Sequence, residues 1–196
     1  IQLYHYDSLF ETVHTSHPVR CFCEDEDGNI LIGTKGSGIK LLNPATKELT
    51  DYLNESKGLI SNSVYALRRN KANDIFIGTE GTGINILNAA TGRLEKLEIP
   101  DKYPPFKAVY NIYFTNNDSL LWVGTSGYGL IKINISREQG RYHVKGFRQY
   151  NSSDKNISLN NDVVYAITSD PEDNMLWFGT RGGGLNCINT VSYTHL

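Results

Sequence analysis

The chain has 196 residues, 39% of them hydrophobic, and carries a net charge of −2 from 19 basic and 21 acidic side chains. That apolar content is enough to bury a core. The near-balanced charge argues against an electrostatic nucleic-acid footprint or a polybasic membrane anchor, and no apolar run reaches the roughly 20 residues of a membrane helix.

The chain opens on IQLYHY, without an initiator Met or a signal peptide, so its natural start is expected to lie upstream. Leu3 and Tyr6 are apolar and three apart, a spacing that returns at Leu49/Tyr52, Leu94/Leu97 and Phe147/Tyr150. Residues 1–7 therefore read as the last strand of a preceding unit. Residues 17–53 read as a complete unit of four short strands. An alternating segment from Val19 is followed by the hairpin signal DEDGN, the strand ILI, a Gly-Thr pair, a run closed by Asn43 and the segment around Leu49. Cys21 and Cys23 stand two apart in the first of these strands and point to one face. They read as small buried apolar residues, because no His or Cys set with ligand spacing accompanies them. With Cys187 they make no disulfide framework.

Residues 59–99 and 106–150 repeat this grammar, and residues 159–189 repeat its first three strands. The Gly-Thr pairs begin at Gly33, Gly78, Gly124 and Gly179, at spacings of 45, 46 and 55 residues. Glycines recur three and five positions later, at Gly36/Gly38, Gly81/Gly83, Gly127/Gly129 and Gly182/Gly184. An apolar residue follows at once (Ile39, Ile84, Leu130, Leu185), and Asn43, Asn88, Asn134 and Asn189 close the runs. The final TVSYTHL matches the one-frame translation of a sequencing-library adaptor, so residues 190–196 are expected to be a processing scar.

Four-stranded units at a period near 45 residues are the mark of β-propeller blades, which bury both sheet faces by stacking around an axis. The fold class is therefore all-β: a partial β-propeller of four-stranded antiparallel blades, about four blades' worth of a larger ring and an open arc. Within each blade, Gly-Thr-x-Gly-x-Gly is expected to turn the second strand into the third, using positive φ and close backbone approach.

The segments LWFGTRGGGLN and LWVGTSGYGL, with the lead-ins LISNSVYAL and LNNDVVYAI, resemble the two-component regulator propeller repeat. The resemblance covers residues 1–189, although the first two copies, NILIGT and DIFIGT, lack the Trp. It implies the periplasmic sensor region of a hybrid histidine kinase of the kind found in gut Bacteroidetes. Such a segment is non-catalytic, uses no cofactor, detects an oligosaccharide and signals to a kinase outside this chain. The implied partners are neighbouring blades, downstream sensor modules and a second copy of the parent inner-membrane protein, with no nucleic acid bound by this segment. The alternative is a stand-alone secreted or periplasmic propeller used as a protein-interaction scaffold. A propeller enzyme, such as a polysaccharide lyase or a quinoprotein, is the third reading.

The chemical candidates are few. Gly33 to Gly38 approaches the spacing of a phosphate loop, but Ile39 stands where Lys is required. DEDGN lacks the later bidentate Glu of a calcium loop. His5, His14, His17 and His143 share no motif, so neither a catalytic set nor a metal site is assigned. The side chains after each Gly-Thr vary while the scaffold does not: Lys35, Glu80, Ser126 and Arg181, with Tyr128 inside the third turn. These five are the candidate ligand-binding residues, on one rim of the propeller.

Overall fold

The structure is a computed structural model that describes residues 2–5, 8–12, 14–154, 159–170 and 172–190. Strands β1 (Gln2–His5) and β2 (Ser8–Thr12) pair with each other as a two-stranded sheet. The single strand expected over residues 1–7 is thus Gln2–His5, paired with the strand that directly follows that segment, while Tyr6 and Asp7 lie outside the described residues.

Three four-stranded antiparallel sheets and one three-stranded sheet follow, each with its strands in sequence order. The first holds β3 (Val19–Glu24), β4 (Ile30–Thr34), β5 (Ile39–Leu42) and β6 (Leu49–Leu53). The second holds β7 (Val64–Arg69), β8 (Ile75–Thr79), β9 (Ile84–Leu87) and β10 (Leu94–Lys96). The third holds β11 (Val109–Thr115), β12 (Leu120–Thr125), β13 (Leu130–Glu138) and β14 (Arg141–Tyr150). The last holds β15 (Val164–Asp170), β16 (Met175–Thr180) and β17 (Gly184–Asn189). First strands pack on one another in series, β3 on β7, β7 on β11 and β11 on β15, so they are innermost. The sheets form an arc and are not closed into a ring, as a partial propeller requires.

The core lies between sheets. Leu31, Val64 and Ile77 fill the space between the first and second blades, Phe76, Val109 and Leu121 that between the second and third, and Trp122, Val164 and Phe178 that between the third and fourth. A second strand sandwiched in this way is buried on both faces, and every residue of β8, IFIGT, is buried. This is why these strands read as unbroken apolar runs instead of alternating ones.

In the first three blades the glycine of the Gly-Thr pair serves close approach. A Cβ at Gly33 would lie 2.8 Å from Val64 Cγ1, and at Gly78 or Gly124 it would lie 2.8 Å from the carbonyl oxygen of Val109 or Val164. The entry valine of the next blade rests on the glycine of the blade before. Positive φ belongs to the later glycines, such as Gly129 at φ 73.

One expected boundary differs. Asn43 and Asn88 do open the turn to the fourth strand, accepting backbone N–H groups on their side-chain oxygens. Asn134 does not close its run. Strand β13 continues through a bulge after Asn134 to Glu138, and the hairpin turns instead at Gln139 and Gly140, both with positive φ.

Candidate ligand-binding rim

The Gly-Thr turns spend their backbone donors on the neighbouring blade. Gly36 and Gly38 donate to the Asn62 carbonyl at 3.0 and 2.8 Å, and Gly127 and Gly129 donate to the Asp162 carbonyl at 2.9 Å each. Gly83 donates to the Phe106 carbonyl at 3.1 Å. Each accepting carbonyl lies in the lead-in to the next blade, so these turns are latches between blades. Their N–H groups do not converge on open space, as an anion cradle would require. The threonines brace the turn from within: Thr34 and Thr125 each donate Oγ1 to the carbonyl of the last turn glycine at 2.8 Å.

The residue after each threonine is held in the same way in every blade. Lys35, Glu80, Ser126 and Arg181 donate backbone N–H to Pro18, Ser63, Ala108 and Val163, in each case at 2.9 Å. This repeated bond places the four side chains on one rim, one per blade. Lys35, Glu80 and Arg181 are exposed, and Ser126 is half-buried. The structure does not bring the five candidates into mutual contact: among the described residues no hydrogen bond or ion pair joins any two of them. Tyr128 is half-buried against the core between the second and third blades, and its carbonyl accepts from Gln149 Nε2 at 2.8 Å. Part of its ring is therefore structural.

The other candidates resolve into scaffold. The Asp25 carboxylate accepts from the N–H groups of Asp27 and Asn29 and from Asn29 Nδ2, so it braces its own hairpin. His17 bonds Ser37 across the first turn, His14 and His143 are exposed, and the side chain of His5 lies outside the described residues. Among the described residues no group of three or more His, Cys, Asp or Glu is placed to hold a metal. Cys21 and Cys23 pack side by side against the core between the first and second blades. Burial pushes the Cys21 thiol up to about 12 and raises that of Cys23 as well. Cys187 is exposed.

Three cavities among the described residues open at the opposite rim, beside the hairpins that join first and second strands, and none of the five candidates lines these three. One, of about 550 Å³, lies between the third and fourth blades and is lined by Lys132, Asn134, Ser169 and Asn174 among others. Burial first, and then Arg148, pulls the Lys132 ammonium below the usual lysine range. Between the second and third blades, the same rim carries a polar cluster that sequence reasoning missed. Asp74, with a fully buried side chain, accepts from Tyr142 Oη at 2.7 Å and pairs with Arg137 at 3.2 Å, and Asn70 Nδ2 donates to Tyr142 Oη at 2.6 Å. Burial and the Asp74 carboxylate hold the Tyr142 phenol well above its ordinary value. Sixty-eight residues separate Asp74 from Tyr142, so no local pattern links them.

Residues 15–36 match the two component regulator propeller family. The first blade carries a regulator-propeller repeat. The matched stretch runs from the lead-in through the first two strands to Gly36, the part of the blade that supplies the entry valine and the first of the two latch glycines. No curated protein matches the chain. Among solved structures, the chain resembles the extracellular domain of a putative hybrid two component system from B. thetaiotaomicron at 20% identity and a TM-score of 0.57, over 95% of this chain and 29% of that one. A second such domain from the same organism gives 18% identity and a TM-score of 0.52, over 94% and 35%. The β-propeller domain of Myceliophteria thermophila Cps50 (Swd1) gives 14% identity and a TM-score of 0.62, over 93% and 55%. These likenesses establish the propeller fold. The chain spans about a third or less of the two B. thetaiotaomicron domains. Among its described residues no helix is long and apolar enough to cross a membrane.

Proposed function

We propose that this chain is part of a non-catalytic sensor propeller of a hybrid two-component histidine kinase. It lies in the periplasmic portion of an inner-membrane protein, detects an oligosaccharide, and signals to a kinase carried elsewhere in that protein. The observation that carries the reading is the regulator-propeller repeat at residues 15–36, set in a fold shared with extracellular domains of two component systems. The arrangement of the rim agrees with it. A latch of backbone bonds holds the scaffold, and one variable side chain per blade stands free of it at Lys35, Glu80 and Arg181. Arg181 suits bidentate pairing with a uronate or sulfate, and the open part of the Tyr128 ring suits stacking on a sugar face. Neighbouring blades and downstream sensor modules complete the receptor, and a homodimer of the parent relays the signal.

The test is a calorimetric titration of the full-length protein with neutral and uronate-containing oligosaccharides, together with a phosphorylation assay of its kinase. An oligosaccharide that binds and changes kinase activity, and binds about tenfold more weakly to Arg181→Ala, is the expected result. Binding by no member of such a panel, or binding without any change in phosphorylation, counts against the sensor reading.

A further inference from the structure

The innermost strands share an irregularity. In every blade the pairing of first with second strand skips one residue directly after the entry valine: between Val19 and Cys21, Val64 and Ala66, Val109 and Asn111, and Val164 and Ala166. The residue in the bulge is Arg20, Tyr65, Tyr110 or Tyr165. A bulge re-aims its side chain, and the same bulge at the same position repeats that aim from blade to blade.

The four side chains consequently form a continuous row across the innermost strands. The Arg20 guanidinium lies 5.9 Å from the centre of the Tyr65 ring. Tyr65 meets Tyr110 edge-on at 5.0 Å between centroids, and Tyr110 stacks on Tyr165 at 5.3 Å. The row is only partly covered: Tyr65 and Tyr110 are half-buried, Arg20 is exposed and Tyr165 is 49% exposed. Tyrosines elsewhere in the arc satisfy their hydroxyls within the protein, Tyr113 on Ser169 and Tyr142 on Asp74. The hydroxyls of Tyr65, Tyr110 and Tyr165 have no hydrogen-bond partner among the described residues. Glu80, a member of the rim set, donates its backbone N–H to the carbonyl of Ser63, two residues before Tyr65, which places the row beside the Gly-Thr rim; burial first, and then the Glu80 carboxylate, raises the Tyr65 phenol.

We infer that this tyrosine row, flanked by Arg20 and Glu80, is a ligand-contacting wall that takes a hydroxylated ring such as a sugar unit. Such a ring has an apolar C–H face and a polar edge. The tyrosine rings match the face, while three hydroxyls able to donate and accept, a carboxylate and a guanidinium match the edge. A purely apolar ligand would leave those polar groups unpaired. The inference rests on the sensor reading and deepens it, moving the contact surface inward from the turn residues alone to the axial side of the same rim.

The test uses the full-length protein and the oligosaccharide panel above, with the variants Tyr65→Phe, Tyr110→Phe and Tyr165→Phe. Each keeps the ring and its packing and deletes one hydroxyl. For the panel member that binds, each variant is expected to weaken affinity about fivefold with an unchanged thermal midpoint, and saturation should perturb the tyrosine absorption spectrum. Tyr113→Phe, whose hydroxyl is already engaged by Ser169, should leave affinity unchanged. If an oligosaccharide binds the wild type and all three variants equally, the wall is overturned while the sensor reading stands. If no member binds the wild type, both readings fall.

Discussion

The interface between the second and third blades and the outward face of the fourth blade are built from the same repeat, yet they differ at every level. At the interface, Val109 rests on Gly78, Ile84 is fully buried after its turn, and Asp74, Arg137 and Tyr142 close the far rim. On the fourth blade the equivalent glycine, Gly179, has nothing nearer to an added Cβ than Ala166 at 4.0 Å. The equivalent of Ile84 is Leu185, at 67% exposure. The brace from threonine to the last turn glycine is 2.8 Å at Thr125, where the third blade is covered by the fourth, and 3.4 Å at Thr180. The motif by itself therefore has little energetic content. A repeat of this kind is stabilised by what its neighbour lays upon it, as expected of an architecture whose stability is mostly nearest-neighbour contact.

The sharpest way to break the comparison is to substitute its two glycines. Gly78→Ala forces a Cβ against the Val109 backbone, so we expect a loss of about 3 kcal/mol in denaturant unfolding. Gly179→Ala meets only the Ala166 Cβ, at 4.0 Å, and should stay within about 0.5 kcal/mol of wild type. Equal effects at the two sites would show that the glycine serves its own strand and not the neighbour.

Next in size is Arg137→Met, which strips the cation from the buried Asp74 carboxylate. Arg137 is itself about a third exposed and Tyr142 still donates, so the cost should be about 2 kcal/mol, below that of a fully buried pair. The isolated chain should self-associate as its concentration rises, through the uncovered face of the fourth blade, and Leu185→Lys should lower that tendency without loss of stability. Sedimentation velocity across a concentration series checks this, and an unchanged distribution for Leu185→Lys would place the sticky surface elsewhere.

A further effect is confined to alkaline pH. The Cys21 thiol rises from its ordinary value of 9.0 to about 12 in the folded state, so its contribution is whole below pH 9.0 and is lost as pH climbs towards 12. The raised Tyr142 phenol acts in the same direction. Unfolding midpoints of wild type should fall over that alkaline window, and Cys21→Ala should flatten part of the fall. Thiol reagents at neutral pH should label the exposed Cys187 well before Cys21.

Much of the fold was legible because a propeller blade writes its constraints locally. Close approach demands glycine at Gly33, Gly78 and Gly124, and the sandwiched second strands demand unbroken apolar runs. The third blade escaped because Asn134 is found where Asn43 and Asn88 turn the chain. The alternating residues beyond it, Ile135 to Glu138, pair with β14 and extend the hairpin. At the rim, Lys35, Glu80, Ser126 and Arg181 were legible from their place in the repeat, whereas the packing of Tyr128 against the core was not. The tyrosine row had a signal, an aromatic after the entry valine in three blades, but strand propensity accounts equally well for Tyr there.

What the amino-acid order determined by itself was the unit: its four-strand period, its turns and the face each strand must bury, because glycine, asparagine and apolar periodicity act within a few residues. What only the tertiary structure decided was which of those features meet. The Asn62 and Asp162 carbonyls entering the glycine latches, the buried Asp74 finding Arg137 and Tyr142, and the bulged residues of separate strands aligning into one row all join positions in different blades. Stacking the sheets brings them together, and no period along the chain encodes the angle at which one sheet lies upon the next.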